Sequence, residues 1–307
     1  MKQDPPEGQM RGINELTYNW DLGHAEPIAL EVNLKAIRFP SNGDGVEITD
    51  DESMSFADGM GGDLPFSISA WIKPDISQSG QILSRRDSTY QPSQAGEWIL
   101  GHSQGKLYAI LYDDPGAGNF STGNRIYIQQ TVADAPALAD GVWQLLTFTY
   151  DGSGQIGDVM NPTGVKFYVD GVENTDFSNR QASNYSGIAR FPNLQTVIGN
   201  SDNPTTNTFE DLIADTCLYN KELSQTEVEE IYNSGVVKDM NRFSAYDSII
   251  SWWKMGDDQD TTGAAGIKDY VGTNHGSMIN TTEIVDSTGL ETEQYVADQN
   301  LRCLWEK

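Results

Sequence analysis

Apolar and polar side chains alternate with a period of two in FSISAWIK, where Phe66, Ile68, Ala70 and Ile72 fall on one side and Ser67, Ser69, Trp71 and Lys73 on the other. Neighbouring side chains of an extended chain point to opposite faces, so this spacing predicts a half-buried β-strand. Further strand-like runs follow at 97–100, 106–112, 125–130, 143–150, 165–169, 196–199 and 212–219, and SWWKM at 251–255 reads the same way. Between them, DDPGAGNFSTGN and DGSGQIGDVMNPTG are rich in Gly, Asn, Asp and Pro, which is turn chemistry and predicts long loops. In KFYVDGVEN, Asp170 and Gly171 form a pair that tolerates positive φ, so residues 166–169 are expected to fold back on residues 172–174.

One stretch has a different period. Ser224 with Glu227 three residues later makes a capping box, Leu223 is placed to staple onto Val228, and Val228, Ile231 and Tyr232 form an apolar stripe. Gly235 is expected to stop this helix, which spans residues 224–233 and lays its stripe on the strands. Residues 1–34 carry few strand signals and read as an arm that needs a host surface, with Ile13, Leu16, Tyr18, Trp20, Leu22, Ile28 and Leu30 as aperiodic apolar anchors. The region after residue 255 is loop-rich, with few strong signals towards residue 307.

Composition supports an all-β chain. Its 30 Gly, 13 Tyr and 7 Trp among 307 residues suit many short strands and tight turns. With 45 acidic against 19 basic residues the net charge is −26, a field that repels nucleic acid and anionic membranes while offering oxygen ligands to hard cations. Cys217 and Cys303 fit neither a zinc pattern nor a redox pair and are expected to be free thiols, and His24, His102 and His275 stand apart from one another. No stretch has the apolar run of a secretory signal or a membrane span.

The order of segments carries a resemblance. AIRFPSNGDGVEITDDESMSF, PFSISAWIKPD, DGVWQLLTFTYDGSG with GVKFYVDGVE, and FEDLIADTCLYNKELSQTEVEEIYNSG resemble, from Ala36 to Gly235, the laminin-G-like (concanavalin A-like) jelly-roll family. The block ISWWKMGDDQDTTGAAGIKDYVGTNHGSMINTTEIV resembles the segment that follows this domain in structural proteins of marine bacteriophages. The first resemblance implies an antiparallel two-sheet jelly-roll sandwich over residues 35–236, between an N-terminal arm at 1–34 and a C-terminal extension at 237–307 that packs on it. The second implies a non-enzymatic virion protein, made in the host cytoplasm, acting as a head decoration, head fibre or tail appendage. Its implied partners are other virion proteins, copies of itself as a homo-oligomer, and cell-surface glycans. Where the family carries an acidic pair in the strand before the helix, this chain has Ala214 and Asp215, preceded by Asp211.

The same fold hosts glucanases, so a glycan-binding protein or glycoside hydrolase is the alternative reading. A retaining hydrolase needs two carboxylates about 5 Å apart, which on one strand face means acids at even spacing. Neither 143–150 nor 165–169 has an acid, and Asp50-Asp51, Asp113-Asp114 and Asp257-Asp258 are adjacent pairs. Aromatic side chains point instead to binding, since sugars stack their C–H faces on rings, and Trp71, Tyr90, Trp98, Tyr108, Tyr112 and Tyr127 lie in or near strands. One metal signal remains. Asp258, Asp260, Thr262, Gly263 and Asp269 approximate positions one, three, five, six and twelve of a Ca²⁺ loop, which makes Asp258, Asp260, Thr262 and Asp269 the candidate ligands.

Overall fold

The computed structural model describes residues 34–49, 51–87, 95–113, 125–130, 137–153, 164–175, 177, 179–183, 185, 187–188, 190–200, 209–256 and 266–292. Residues 1–33 of the expected arm therefore lie outside the described residues. The strands in chain order are β1 (Lys35–Arg38), β2 (Gly45–Ile48), β3 (Phe66–Pro74), β4 (Ser79–Asp87), β5 (Ala95–Ser103), β6 (Lys106–Tyr112) and β7 (Arg125–Gln129). They continue as β8 (Gln144–Tyr150), β9 (Val165–Val169), β10 (Val172–Asn174), β11 (Asn179–Ser183), β12 (Thr196–Ile198) and β13 (Asp211–Tyr219), followed by helix α1 (Gln225–Tyr232). After the helix come β14 (Val236–Val237), β15 (Ile249–Trp253), β16 (Gly266–Ile267), β17 (Gly276–Ile279), β18 (Glu283–Asp286) and β19 (Glu291–Thr292).

Two antiparallel sheets carry the molecule, as the sequence predicts. The first runs β10-β9-β8-β3-β13-β1-β18 with β15 also on β13, and the second runs β11-β7-β6-β5-β4-β12-β2-β17-β16. Their facing sides share one core, to which β3 gives Phe66, Ile68, Ala70 and Ile72 and the second sheet gives Val46, Leu83, Trp98, Leu100, Leu107 and Ile126. This is the face-to-face packing of a two-layer sandwich, with inward residues alternating along each strand. The Asp170-Gly171 turn has φ of 52° and 79°, and Val172 pairs with Val169 across it. Both residues thus take the positive φ that a tight hairpin demands.

The other face of β3 departs from expectation. Alternation predicts that Ser67, Ser69 and Trp71 meet water, yet all three are buried. Trp71 joins a second apolar cluster with Leu145, Tyr168, Cys217, Tyr219, Val228 and Ile231, built where α1 and the chain after it lie across the outside of the first sheet. Ser67 remains tolerable there because its hydroxyl donates to the Lys221 carbonyl (2.8 Å) and accepts from the Leu223 amide (3.0 Å), while Ser69 shares a hydrogen bond of 2.9 Å with the Tyr219 hydroxyl. Helix α1 has both bonds of the capping box at Ser224 and Glu227. It ends at Asn233 in the left-handed conformation (φ 48°), two residues before the glycine expected to stop it. Asn is among the few residues that accept this cap.

The chain after α1 is more strand-rich than its composition suggests. β15 pairs with β13, β17 with β2 and β18 with β1, so residues beyond 237 supply strands to both sheets. Asp44 fixes one such junction: its carboxylate accepts from the Thr281 amide (2.7 Å) and hydroxyl (2.8 Å).

Candidate functional site

The outer face of the second sheet presents a different surface. On β6 the inward residues Leu107, Ala109 and Leu111 enter the core, as do Ile126 and Ile128 of β7. Strict alternation then sends Tyr108, Ile110 and Tyr112 outwards beside Arg125, Tyr127 and Gln129. Register brings them together, with Tyr108 opposite Gln129, Ile110 opposite Tyr127 and Tyr112 opposite Arg125. Ile99 and Ile110 form the floor of this patch, packed with Tyr112, Tyr108 and Tyr127. The rings of Tyr108 and Tyr127 stand 6.4 Å apart at 56° and remain partly exposed.

Two glycines on β5 make room for the rings. A Cβ on Gly101 would come within 2.7 Å of the Tyr108 ring tip and 2.6 Å of the Gly80 carbonyl oxygen, so the tyrosine lies over bare backbone. A Cβ on Gly96 would stand 3.1 Å from the Tyr112 ring and 3.4 Å from the Arg86 stem. Glycine inside a strand often marks such a close approach. Cations border the same rings, with the Arg125 guanidinium 5.1 Å from the Tyr127 centroid and that of Arg86 6.0 Å from Tyr112.

Burial pushes the Tyr108 hydroxyl pKa well up, and Gln81 hydrogen-bonds that hydroxyl. Burial likewise raises Tyr127, which donates to the Gln129 amide oxygen. Both phenols thus stay neutral near pH 7.

The residues singled out in the sequence separate into four groups. Tyr108, Tyr112 and Tyr127 meet on this one face. Trp71 and Trp98 do not: Trp71 stacks on Tyr232 beneath α1 with centroids 6.3 Å apart, and Trp98 is in the core with its indole N–H on the Met54 carbonyl (3.1 Å). Tyr90, Asp258, Asp260 and Thr262 lie outside the described residues. Asp269 is 2 % exposed and holds a turn together. Its Oδ1 accepts from the amides of Trp252 (3.0 Å), Val271 (3.1 Å) and Gly272 (3.1 Å), and its Oδ2 from Asn274 (3.1 Å). Among the described residues no group of three or more His, Cys, Asp or Glu is arranged to hold a metal ion.

Two other buried acids are similarly engaged. Glu97 sits where β5 shifts register against β4, and it faces Arg85 at 3.1 Å with neither side chain exposed. Its other oxygen accepts from the Phe191 amide (3.1 Å), and burial raises its pKa against the pull of Arg85. Asp215 occupies a β-bulge with φ of 38° and accepts from the Trp252 indole N–H at 2.6 Å. Burial raises that carboxyl to about 6. His102, buried against Phe209, is pushed down to about 4 by desolvation and accepts from the Gly105 amide at 3.3 Å. Cys217 is buried as a free thiol.

The signal that sequence reading missed is the combination of YAILY, RIYIQ and two in-strand glycines. Each Tyr or Arg falls on the same parity, but the glycines that seat the rings belong to the neighbouring strand, which only the pairing reveals.

A family described as concanavalin A-like lectin/glucanases superfamily matches residues 40–229. The chain belongs to this superfamily. No curated protein matches it. Among solved structures, one described as a "putative carbohydrate binding protein" from Bacteroides ovatus shares the fold at TM-score 0.53 and 17% identity, covering 84% of this chain. The chain spans 61% of that protein's length. A heptameric SAP-like pentraxin from Limulus polyphemus aligns at TM-score 0.41 and 12% identity, over 85% of this chain and 98% of its own. The superfamily includes lectins and glucanases, so the fold leaves binding and hydrolysis to be separated by the site itself. No helix among the described residues is long and apolar enough to cross a membrane.

Proposed function

We propose that this superfamily member is a non-enzymatic glycan-contact protein of a virion surface, with the tyrosine face of the second sheet as its contact site. The observation that carries the reading is the pair of partly exposed rings of Tyr108 and Tyr127 on one face, with Tyr108 seated over Gly101 and the buried Tyr112 packed beside them. A pyranose ring lays its C–H face on a tyrosine, and Gln129 and Arg125 beside the rings offer hydrogen bonds to its hydroxyls. Each aromatic contact contributes about 1 kcal/mol beyond area burial, which suits weak single-site binding. Many copies on one particle would raise the effective strength by roughly 10² to 10⁴ without new contacts.

The absence of an enzymatic role in this reading is supported by how four buried acids among the described residues are held. Glu97 is turned towards Arg85 in the interior, Asp215 towards Trp252, and Asp44 and Asp269 towards backbone amides. A hydrolase needs one free carboxylate and one proton-donating carboxyl across the sugar. The virion setting rests on the sequence resemblance of residues 250–285, with residues 1–34 as the attachment arm and homo-oligomeric assembly on the particle. Ca²⁺ at Asp258, Asp260, Thr262 and Asp269 belongs to the same reading; calorimetry with Ca²⁺ on the wild type and on an Asp258→Ala, Asp260→Ala variant checks it by a difference in binding.

Titration with a panel of oligosaccharides tests the contact site. Tyr108→Ala with Tyr127→Ala should weaken binding at least tenfold while the fold is kept. Wild-type affinity in that variant would overturn the assignment. For the virion setting, deleting residues 1–34 should leave a folded sandwich that no longer joins particles, and undiminished incorporation would refute the arm.

A further inference from the structure

We infer that the tyrosine face selects acetamido sugars over sugars with a hydroxyl at the same carbon, through the side-chain amide of Gln129. This claim deepens the glycan-contact reading and rests on it. The first observation is that the phenol oxygens of the two partly exposed rings are already committed. The Tyr108 hydroxyl is buried and hydrogen-bonded by Gln81, and the Tyr127 hydroxyl donates to Gln129 Oε1. A neutral phenol has one proton to give, and at Tyr127 it goes to the amide oxygen.

The second observation is what that bond does to Gln129. A side-chain amide has a carbonyl end and an NH2 end, and the hydrogen bonds around it fix which way it points. With Oε1 held by Tyr127, Nε2 is the end left over, and among the described side chains it has no acceptor. Gln129 is partly exposed, so this donor end faces a bound molecule rather than the core. Its position matters as much as its direction. Gln129 stands directly opposite Tyr108 across β6 and β7, and Tyr108 lies over the bare backbone of Gly101. Directly opposite residues of antiparallel strands have Cβ atoms about 5 Å apart, so a sugar resting on Tyr108 carries its substituents beside the Gln129 amide.

The chemistry of those groups then picks the class. An acetamido group presents a carbonyl oxygen, which accepts without bringing a proton of its own, and a methyl, which packs on apolar surface. Both halves find a match: Gln129 Nε2 for the carbonyl, and the Tyr108 and Tyr127 rings for the methyl. A hydroxyl at that carbon is shorter than the acetamido arm and carries a proton that needs an acceptor, whereas the Gln129 oxygen already takes the Tyr127 proton. Tyr127 is thus a positioning residue, acting on the ligand by holding the amide the right way round. The selection needs no ion pair.

The test titrates chitotetraose and cellotetraose, which share one backbone linkage and differ in the acetamido group, into the full chain and its Gln129→Glu, Gln129→Ala and Tyr127→Phe variants. The expected result is a preference of about tenfold for chitotetraose, the scale of one hydrogen bond that the analogue does not make. Gln129→Glu and Gln129→Ala should lose most of that preference while still binding cellotetraose. Tyr127→Phe should lose part of it, because the released amide can turn over, whereas a merely structural hydroxyl would weaken both probes alike. Thermal melts identify any variant that fails to fold, and the remaining Gln129 variant then supplies the test. Equal binding of the two probes by the wild type, with both lost in the Tyr108→Ala, Tyr127→Ala variant, overturns acetamido selection and leaves the glycan-contact reading standing. A preference undiminished in both Gln129 variants overturns the assignment to Gln129. Binding of neither probe overturns acetamido selection, and the wider oligosaccharide panel then decides the broader reading separately.

Discussion

The outer faces of the two sheets put similar side chains to opposite uses. On the first sheet, Trp71 and Tyr168 are sealed beneath α1 and the chain that follows it. On the second, Tyr108 and Tyr127 cover Ile99 and Ile110 but stay partly exposed, and arginines rather than a helix border them. Aromatic residues on an outward strand position are therefore not a binding signal by themselves. Among the described residues, what distinguishes the two faces is that α1 and the chain after it lie over the first.

The covered face should be the expensive one to disturb. Trp71→Ala removes a nearly inaccessible indole between Tyr232 and the sheet, and the resulting void should cost about 3–5 kcal/mol, read by chemical denaturation. A loss below about 1 kcal/mol would mean that α1 does not seal this face.

These faces also mark where sequence reading works. The β3 strand with its core-facing set, the Asp170-Gly171 hairpin and the Ser224–Glu227 capping box are local, and each is recovered at its predicted position. Burial of Ser67, Ser69 and Trp71 was not legible, because it depends on residues more than 150 positions away, such as Lys221 and Leu223. β17 illustrates the same limit. Its four residues pair with β2 at the far end of the sequence, Ser277 opposite Glu47, and so short a strand has too little periodicity to announce itself. The tyrosines of the open face were visible as residue types, but their assembly over Gly96 and Gly101 is a cross-strand property.

A second way to probe the covered face is through Asp215, whose carboxyl is raised to about 6 by burial. A carboxyl with a folded pKa above its unfolded value favours the folded state at low pH, and that contribution disappears as pH rises from about 3.8 through about 6. Asp215→Asn keeps an acceptor for the Trp252 indole and tolerates the positive φ, while removing the titration. Relative to wild type, the variant should gain roughly 2–3 kcal/mol between pH 4 and pH 7. Parallel stability profiles of the two proteins would show that Asp215 ionises without penalty.

On the open face the effects on stability should be smallest. Tyr127→Phe deletes the hydroxyl that donates to Gln129 but keeps the ring, so the cost should be about 0.5–1 kcal/mol, with melting nearly unchanged. A loss approaching that of Trp71→Ala would mean that this face, too, is chiefly structural.

Hydrogen–deuterium exchange with and without a bound oligosaccharide compares the two faces in one experiment. The account predicts added protection in β5, β6 and β7, around Gly101, Tyr108 and Tyr127, and none in α1 or the outer contacts of β3. Protection confined to α1 and the outer contacts of β3, with β5 to β7 unchanged, would contradict the assignment of the tyrosine face as the contact surface.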